Sequence, residues 1–310
     1  MSHTSPAFDR PDAERVINPA TAMDAVTLHV GDLEVMSEYY ATALAMVPLQ
    51  ERSRGREVHR VLGRGTTPMV RLGHTPELDA VDPREAGLFH TAFLVEDEAS
   101  LAATVYRAAQ HPLSQFVGSA DHLVSEAFYF TDPEGNGIEI YRDRPREAWE
   151  VHDGRVAMDN LRLDPQQYLR DHLDQGVLDA GAERAGVVGH VHLQVGDVER
   201  AREFYIGALG FDPTADWPEV LFASAGGYHH HVAMNTWNSR GAGPRASRLG
   251  LGDLAITVPQ REDLDALVAR YRAAELDFDD DGRRVVTRDP WGTQVSVAVP
   301  GTETEELLER

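Results

Sequence analysis

His90, Glu139 and His190 give this chain two imidazoles and a carboxylate, the donor set of a mononuclear divalent-metal site that keeps coordination positions open. Such a set suits non-haem Fe(II), which needs room for a substrate and for oxygen. Zn(II), Ni(II) and Mn(II) accept the same donors, so ligand type alone does not fix the ion. The chain has no cysteine. Thiolate nucleophiles, disulfides and zinc–cysteine sites are therefore excluded, and any metal must rest on histidine and carboxylate. Taken singly, a strand histidine is more often a packed or surface residue than a ligand, and a glutamate on a terminal strand is more often solvated. What favours chemistry is that these residues fall at equivalent positions of a repeat.

The stretch "DHLVSEAFYFTDPEGNGIE", 121–139, adds two groups. His122 and Tyr129 lie in or near the strand before a Pro/Gly turn, and Tyr129 precedes Glu139 by ten residues. In a hairpin this spacing places both side chains over one face. Asp132 and Asn136 fit the turn itself. A structural Tyr129, ring in the core and hydroxyl at its edge, is an equal reading. Further on, "GGYHHHVAMNTW" carries three successive histidines, His229, His230 and His231. On a strand they alternate faces, so at least one looks inward. Adventitious metal binding and an active-site base titrating near neutral pH are both open.

The elements that must position these groups recur. "VTLHVGDLEVMSEYYATALAM" from Val26 aligns with "VHLQVGDVERAREFYIGALGF" from Val191, and "TDPEGNGIEI" from Thr131 with "RDPWGTQVSV" from Arg288. Each long segment reads as an alternating strand, a Gly-Asp break and a helix, with Asp32 or Asp197 at the N-cap and Glu34 or Glu199 in the first turn. Four units result, at about 24–75, 88–142, 188–236 and 250–299, each a strand, a helix and about three strands. One unit cannot bury a sheet face alone, so the units must pair into sheets with helices outside. Between them, "DPQQYLRDHLD" predicts a short helix starting near Asp164, and "GAERAG" a turn. Counting seven residues back from Asp32, Asp97 and Asp197 gives Ala25, His90 and His190. Unit four has Asp253 there, and Ser296 where unit two has Glu139, so the units are not chemically equal.

The formal net charge is −22, with 51 acidic residues against 29 basic ones, every basic residue an arginine. That balance argues against nucleic-acid binding, which needs basic patches. No apolar run is long enough to span a membrane and no signal peptide is visible, so a cytoplasmic protein is expected. The acidity fits a salt-rich cytoplasm or a GC-rich genome equally. "GAGPRAS", within 241–248, reads as a loop shaping access to a site, and Trp149, Trp217 and Trp237 could line a pocket or simply pack.

With "HLVSEAFYFTDPEGNGIE", "GLFHTAFLV", "GNGIEIYRDRP", "GHVHLQVGDVERAREFY" and "GGYHHHVAMNTW" together, the chain resembles the vicinal oxygen chelate superfamily over roughly residues 22–299. Within it, the chain is similar to the type I extradiol ring-cleaving dioxygenases, particularly the four-module bacterial catechol 2,3-dioxygenases. Ala120, two residues before His122, departs from the restricted residue usual there. The resemblance implies an α+β fold, with four βαβββ modules forming paired curved mixed sheets, the glyoxalase/bleomycin-resistance/extradiol dioxygenase fold. The expected layout is an N-terminal arm (1–21), modules one and two (22–142), a linker with a short helix (143–187), modules three and four (188–299) and a C-terminal tail (300–310). It implies Fe(II), with Mn(II) or another divalent ion as the lesser alternative, held by His90, Glu139 and His190. It implies catalytic roles for His230, Tyr129 and His122, and insertion of O2 into a catechol-like substrate by a homo-oligomer. In the best-known members modules three and four supply the ligands; here modules two and three must meet, directly or by exchange of modules. The alternatives are a glyoxalase-like metal-dependent isomerase or transferase and a non-enzymatic protein that binds aromatic ligands on the same fold.

Overall fold

Alternating strands followed by capped helices lead, in a computed structural model describing residues 16–55, 57–152 and 154–300, to four copies of one strand–helix–three-strand unit. Module two shows the pattern: strand Gly87–Val95, helix Glu98–Gln110, then strands Gln115–Asp121, Ser125–Thr131 and Gly137–Asp143. The helices start where the sequence places acidic caps. The carboxylates of Asp32, Asp97 and Asp197 each accept a hydrogen bond from the backbone N–H three residues on, satisfying a donor the helix leaves orphaned, worth about 1 kcal/mol each. In module three the helix Val198–Arg202 runs on into a π-helical turn, Glu203–Ala208. The linker helix is Pro165–His172, capped by Asp164, and a 3-10 turn follows at Gly181–Glu183. Both match the sequence reading.

The modules pair in a nested way. Modules four and one share one nine-stranded sheet; modules two and three form the core of the other. Within each module the first and last strands lie side by side and parallel, as Gly87–Val95 does with Gly137–Asp143. Between modules the first strands pair antiparallel: Gly87–Val95 with Gly186–Gln194, and Val26–Val30 with Gly250–Thr257. This direct pairing is what a site shared by modules two and three requires.

The repeated motifs explain how one half holds the other. Asp132 closes its turn by accepting from the N–H groups of Glu134 and Asn136, and from the Asn136 amide at 2.8 Å. Tyr40, from the module one helix, donates to the same carboxylate at 3.1 Å. Asp289 repeats this with Trp291 and Thr293, and Tyr205 of module three donates to it at 3.1 Å. The helix aromatic pair and the Asp-Pro turn are thus two parts of one clamp between modules of opposite sheets. Tyr40, Tyr205 and Trp291 are fully buried in the shared core, and full burial of a large side chain contributes about 1.5–3 kcal/mol. Of the expected arm, residues 16–21 are tied down, with Ile17 buried and its N–H bonded to Gly210. The rest of the arm, and all of the tail but Pro300, lie outside the described residues.

Candidate metal centre

The two central first strands are not paired in simple register. Gly189 is an extra residue between Val188, opposite Phe93, and His190, opposite Ala92. Phe89 is a second extra residue, on the other strand, between the His90–His192 and Leu88–Leu193 pairs. Such one-residue bulges turn a strand locally and re-aim the side chain that follows. Each here immediately precedes a histidine, and both rings turn to one point. Glu139 lies on the last strand of module two, opposite Ala92 on one side and Tyr129 on the other. Nε2 of His90 stands 2.9 Å and Nε2 of His190 3.1 Å from the same Glu139 oxygen, Oε2. Cis ligands of an ion with bonds of about 2.1 Å stand about 3 Å apart, so the three donors already have the spacing of a coordination sphere. His90 Nε2 is buried without a well-directed hydrogen bond, which suits an atom kept for an ion.

All three side chains are nearly inaccessible to solvent. Burial pushes the Glu139 carboxyl up, but the rings of His190 and His90 hold it well below the usual carboxylate range. Burial drives His190 down to about 4, more than Glu139 can offset. With His190 driven neutral, its Nε2–H bond to Glu139 Oε2 at 3.1 Å supports the carboxylate charge only in part. The metal-free protein therefore buries a carboxylate against a neutral His190 ring, the protonation states a divalent ion needs of those two ligands. The chemistry of the donors and their spacing fit such an ion. Adding Fe(II) or Mn(II) at one hundred times its dissociation constant should raise stability by about 2.7 kcal/mol, read as a higher melting temperature that chelation reverses. A melting curve indifferent to either ion counts against the site.

A cavity of about 1320 Å³ opens over the cluster, lined by His90, Glu139, His122, Tyr129, His192 and His230 among others. His122 Nδ1 lies 3.0 Å from the Asp159 carbonyl, which only accepts, so Nδ1 carries the proton in the neutral ring. Its Nε2 then accepts the Tyr129 hydroxyl at 2.6 Å, leaving the Tyr129 oxygen lone pairs for a cavity ligand.

The three successive histidines lie in a bend before strand Val232–Asn235. The expected alternation along a strand is absent because the chain turns there, and the rings fan out. His231 bonds Ser224 at 2.8 Å and stacks on Phe211. His229 gives its Nε2 proton to Asp143 at 2.9 Å, so its Nδ1 accepts from His230 Nδ1 at 2.8 Å. That leaves His230 Nε2 with a free lone pair beside the cavity, against the His190 ring at 4.0 Å between centroids. His190, His229 and His230 are a second set close enough to share an ion, but the nitrogens of His229 are both engaged.

His192 escaped the sequence reading. It is buried on the cavity wall, its ring 4.9 Å from those of His90 and Phe89. Trp237 N–H fixes the Asn235 amide, whose Nδ2 then donates to His192 Nε2 at 2.9 Å, so Nδ1 bears the ring's proton. The signal was available: in "HVHLQ", residues 190, 192 and 194 share a face. Trp217 and Trp237 also line the cavity; Trp149 instead packs on Tyr228 and His229.

The other half keeps the scaffold and not the chemistry. Gly252 is a bulge residue directly before Asp253, as Gly189 is before His190. Yet Asp253 accepts a 2.6 Å hydrogen bond from Ser296 and lies 3.5 Å from Arg284. An ion pair and a hydroxyl fill that position.

The Glyoxalase/Bleomycin resistance protein/Dioxygenase superfamily profile matches residues 22–140 and 187–298. A catechol-2,3-dioxygenase of Bacillus subtilis (strain 168) is 31% identical over 279 residues, spanning 88% of this chain and 95% of that protein. Among solved structures, glyoxalase I from Zea mays is similar with a TM-score of 0.57 at 18% identity, over 94% of this chain and 95% of that one. The cppA protein of Streptococcus pneumoniae reaches a TM-score of 0.54 at 12% identity, over 90% and 99%. These two likenesses concern the fold alone. No helix among the described residues is long and apolar enough to cross a membrane. Matched in both halves by the profile, and along nearly the whole length of a relative, the chain belongs to the glyoxalase/bleomycin resistance protein/dioxygenase superfamily.

Proposed function

We propose that this protein is an Fe(II)-dependent extradiol dioxygenase that inserts O2 into the ring of a catechol, in the manner of a catechol 2,3-dioxygenase. The observation that carries the reading is the convergence of His90, Glu139 and His190 on one point of a cavity wall, flanked by Tyr129 and His230. The 31% identical relative supports it. When bound, Fe(II) would supply the electron-transfer chemistry and the common attachment point that let O2 react with a chelated diol.

The chain's own groups have distinct tasks. His90, Glu139 and His190 would hold the ion, and the cavity lies over them. His230 Nε2 is the base placed to take a hydroxyl proton from the substrate and to return it as the ring opens. Asp143 and His229 keep His230 in the tautomer that can do so. The Tyr129 oxygen, its proton given to His122, accepts a hydrogen bond from the second hydroxyl and so orients the substrate. Phe89, Phe222 and Trp237 pack around His192 on the cavity wall and give a flat ring an apolar seat that excludes water.

Anaerobic purification, iron determination and then addition of catechol with O2 test the reading. Stoichiometric O2 uptake with a yellow product absorbing in the near-UV or blue is expected; no uptake across several catechols sinks it. Tyr129→Phe should keep the metal and the fold while slowing turnover roughly 100-fold. Loss of the fold would make Tyr129 structural instead. A glyoxalase-like reaction is less well served: the cluster offers one carboxylate, where such isomerases commonly use two.

A further inference from the structure

Arg245 lines the same cavity, on the loop that precedes module four's first strand. Its guanidinium makes no hydrogen bond or ion pair with any described side chain, although the group is half-buried. The two carboxylates whose charge reaches it are Asp289 and Glu85, and both are taken. Asp289 is spent on Trp291, Thr293 and Tyr205. Glu85 is held by both arms of Arg248, at 2.9 and 3.1 Å. A cation that lacks its water on one side and a partner on the other is costly unless a ligand completes it.

The placement says which ligand. The guanidinium carbon stands 3.8 Å from where a Cβ on Gly87 would lie. Gly87 is on the His90 strand, three residues away, so Arg245 sits about 10 Å along the sheet from the metal ligand. Gly87 also pairs with Gln194, on the same face of its strand as His190 and His192. Gln194 also lines the cavity, where its amide oxygen lies 3.5 Å from the Asn238 amide nitrogen. From an ion at His90, that distance spans one aromatic ring and a short tether. We propose that the substrate is a catechol carrying a carboxylate on a short side chain opposite the diol, and that Arg245 binds that carboxylate.

The proposal rests on the ring-cleavage reading, and the tests separate the two. The first compares kcat/KM of iron-loaded protein for 3,4-dihydroxyphenyl acids with one- and two-carbon tethers against their methyl esters. The acids should be favoured about 10- to 100-fold, the worth of a charge-assisted pair. The ratio should collapse toward one in Arg245→Gln and partly survive in Arg245→Lys, and salt should weaken it. The second is calorimetric binding of phenylacetate and 3-phenylpropanoate to metal-free protein, which should weaken at least about tenfold in Arg245→Gln. Cleavage of acids and esters alike, or binding indifferent to Arg245→Gln, overturns the carboxylate site and leaves ring cleavage standing. Arg245-dependent binding without cleavage of any catechol upholds the anion site and overturns the reaction.

Discussion

Glu139→Gln is expected to abolish ring cleavage and weaken Fe(II) binding at least about 100-fold, while its metal-free form melts no lower than the metal-free parent. The affinity loss follows from the donor count. Changes to groups that merely orient a metal ligand already cost about 10- to 100-fold, and here the proposed direct ligand loses its charge. The stability half has the opposite sign for the same reason. Glu139 is a nearly inaccessible carboxylate against two imidazoles, one driven neutral by burial, and nothing but an ion fully offsets its charge. A neutral amide of the same shape removes that burden. Metal titration with a fluorescence or calorimetric readout, together with melting curves of both apo-proteins, decides it. An iron-replete Glu139→Gln enzyme with normal turnover would falsify the ligand assignment. A large loss of apo stability would mean the carboxylate is a structural hydrogen-bond acceptor first.

The sequence exposed this site because its repeat carries a ruler. The helix-capping aspartates fixed the first-strand positions, and the difference between His90, His190 and Asp253 at those positions separated the modules by chemistry. What stayed hidden depends on non-local geometry. The choice of partners among modules is made by first strands about 100 residues apart in one sheet and about 220 in the other, and no local propensity records it. His192 was passed over because it follows a better-placed histidine, and its tautomer is set by Asn235, which reaches it only once the parallel strand is in place. The three-histidine run misled by looking like a strand; the backbone bends there, and this bend turns His230 to the cavity. Arg245 lay within a loop read only as access, since an unpaired charge is invisible until its neighbours' carboxylates are accounted for.

Gly189→Ala should be strongly damaging although it touches no proposed ligand. A Cβ there would stand 1.8 Å from the Tyr141 hydroxyl oxygen and 2.8 Å from its ring carbon. Tyr141 cannot swing away: it is fully buried, and its hydroxyl bonds Tyr228, which bonds Asp143, the carboxylate that also holds His229. Overpacking costs about 1–3 kcal/mol, and a buried hydroxyl stripped of its partner about 1–3 more, so a loss of about 2–6 kcal/mol is expected in urea denaturation. The clash falls on the bulge that aims His190, so metal affinity should fall with stability. Two controls separate these effects. In a Tyr141→Phe background the alanine should cost at least about 1 kcal/mol less, because the closest clash is with the oxygen. Gly252→Ala probes the matching bulge of the other sheet, where a Cβ would meet the edge of the His29 ring at 2.9 Å. It should cost stability and leave metal binding unchanged. Metal affinity kept in Gly189→Ala would show that the bulge belongs to the fold alone; loss in Gly189→Ala but not Gly252→Ala would tie it to the site, in the one half of the molecule where a ring must be turned toward an ion.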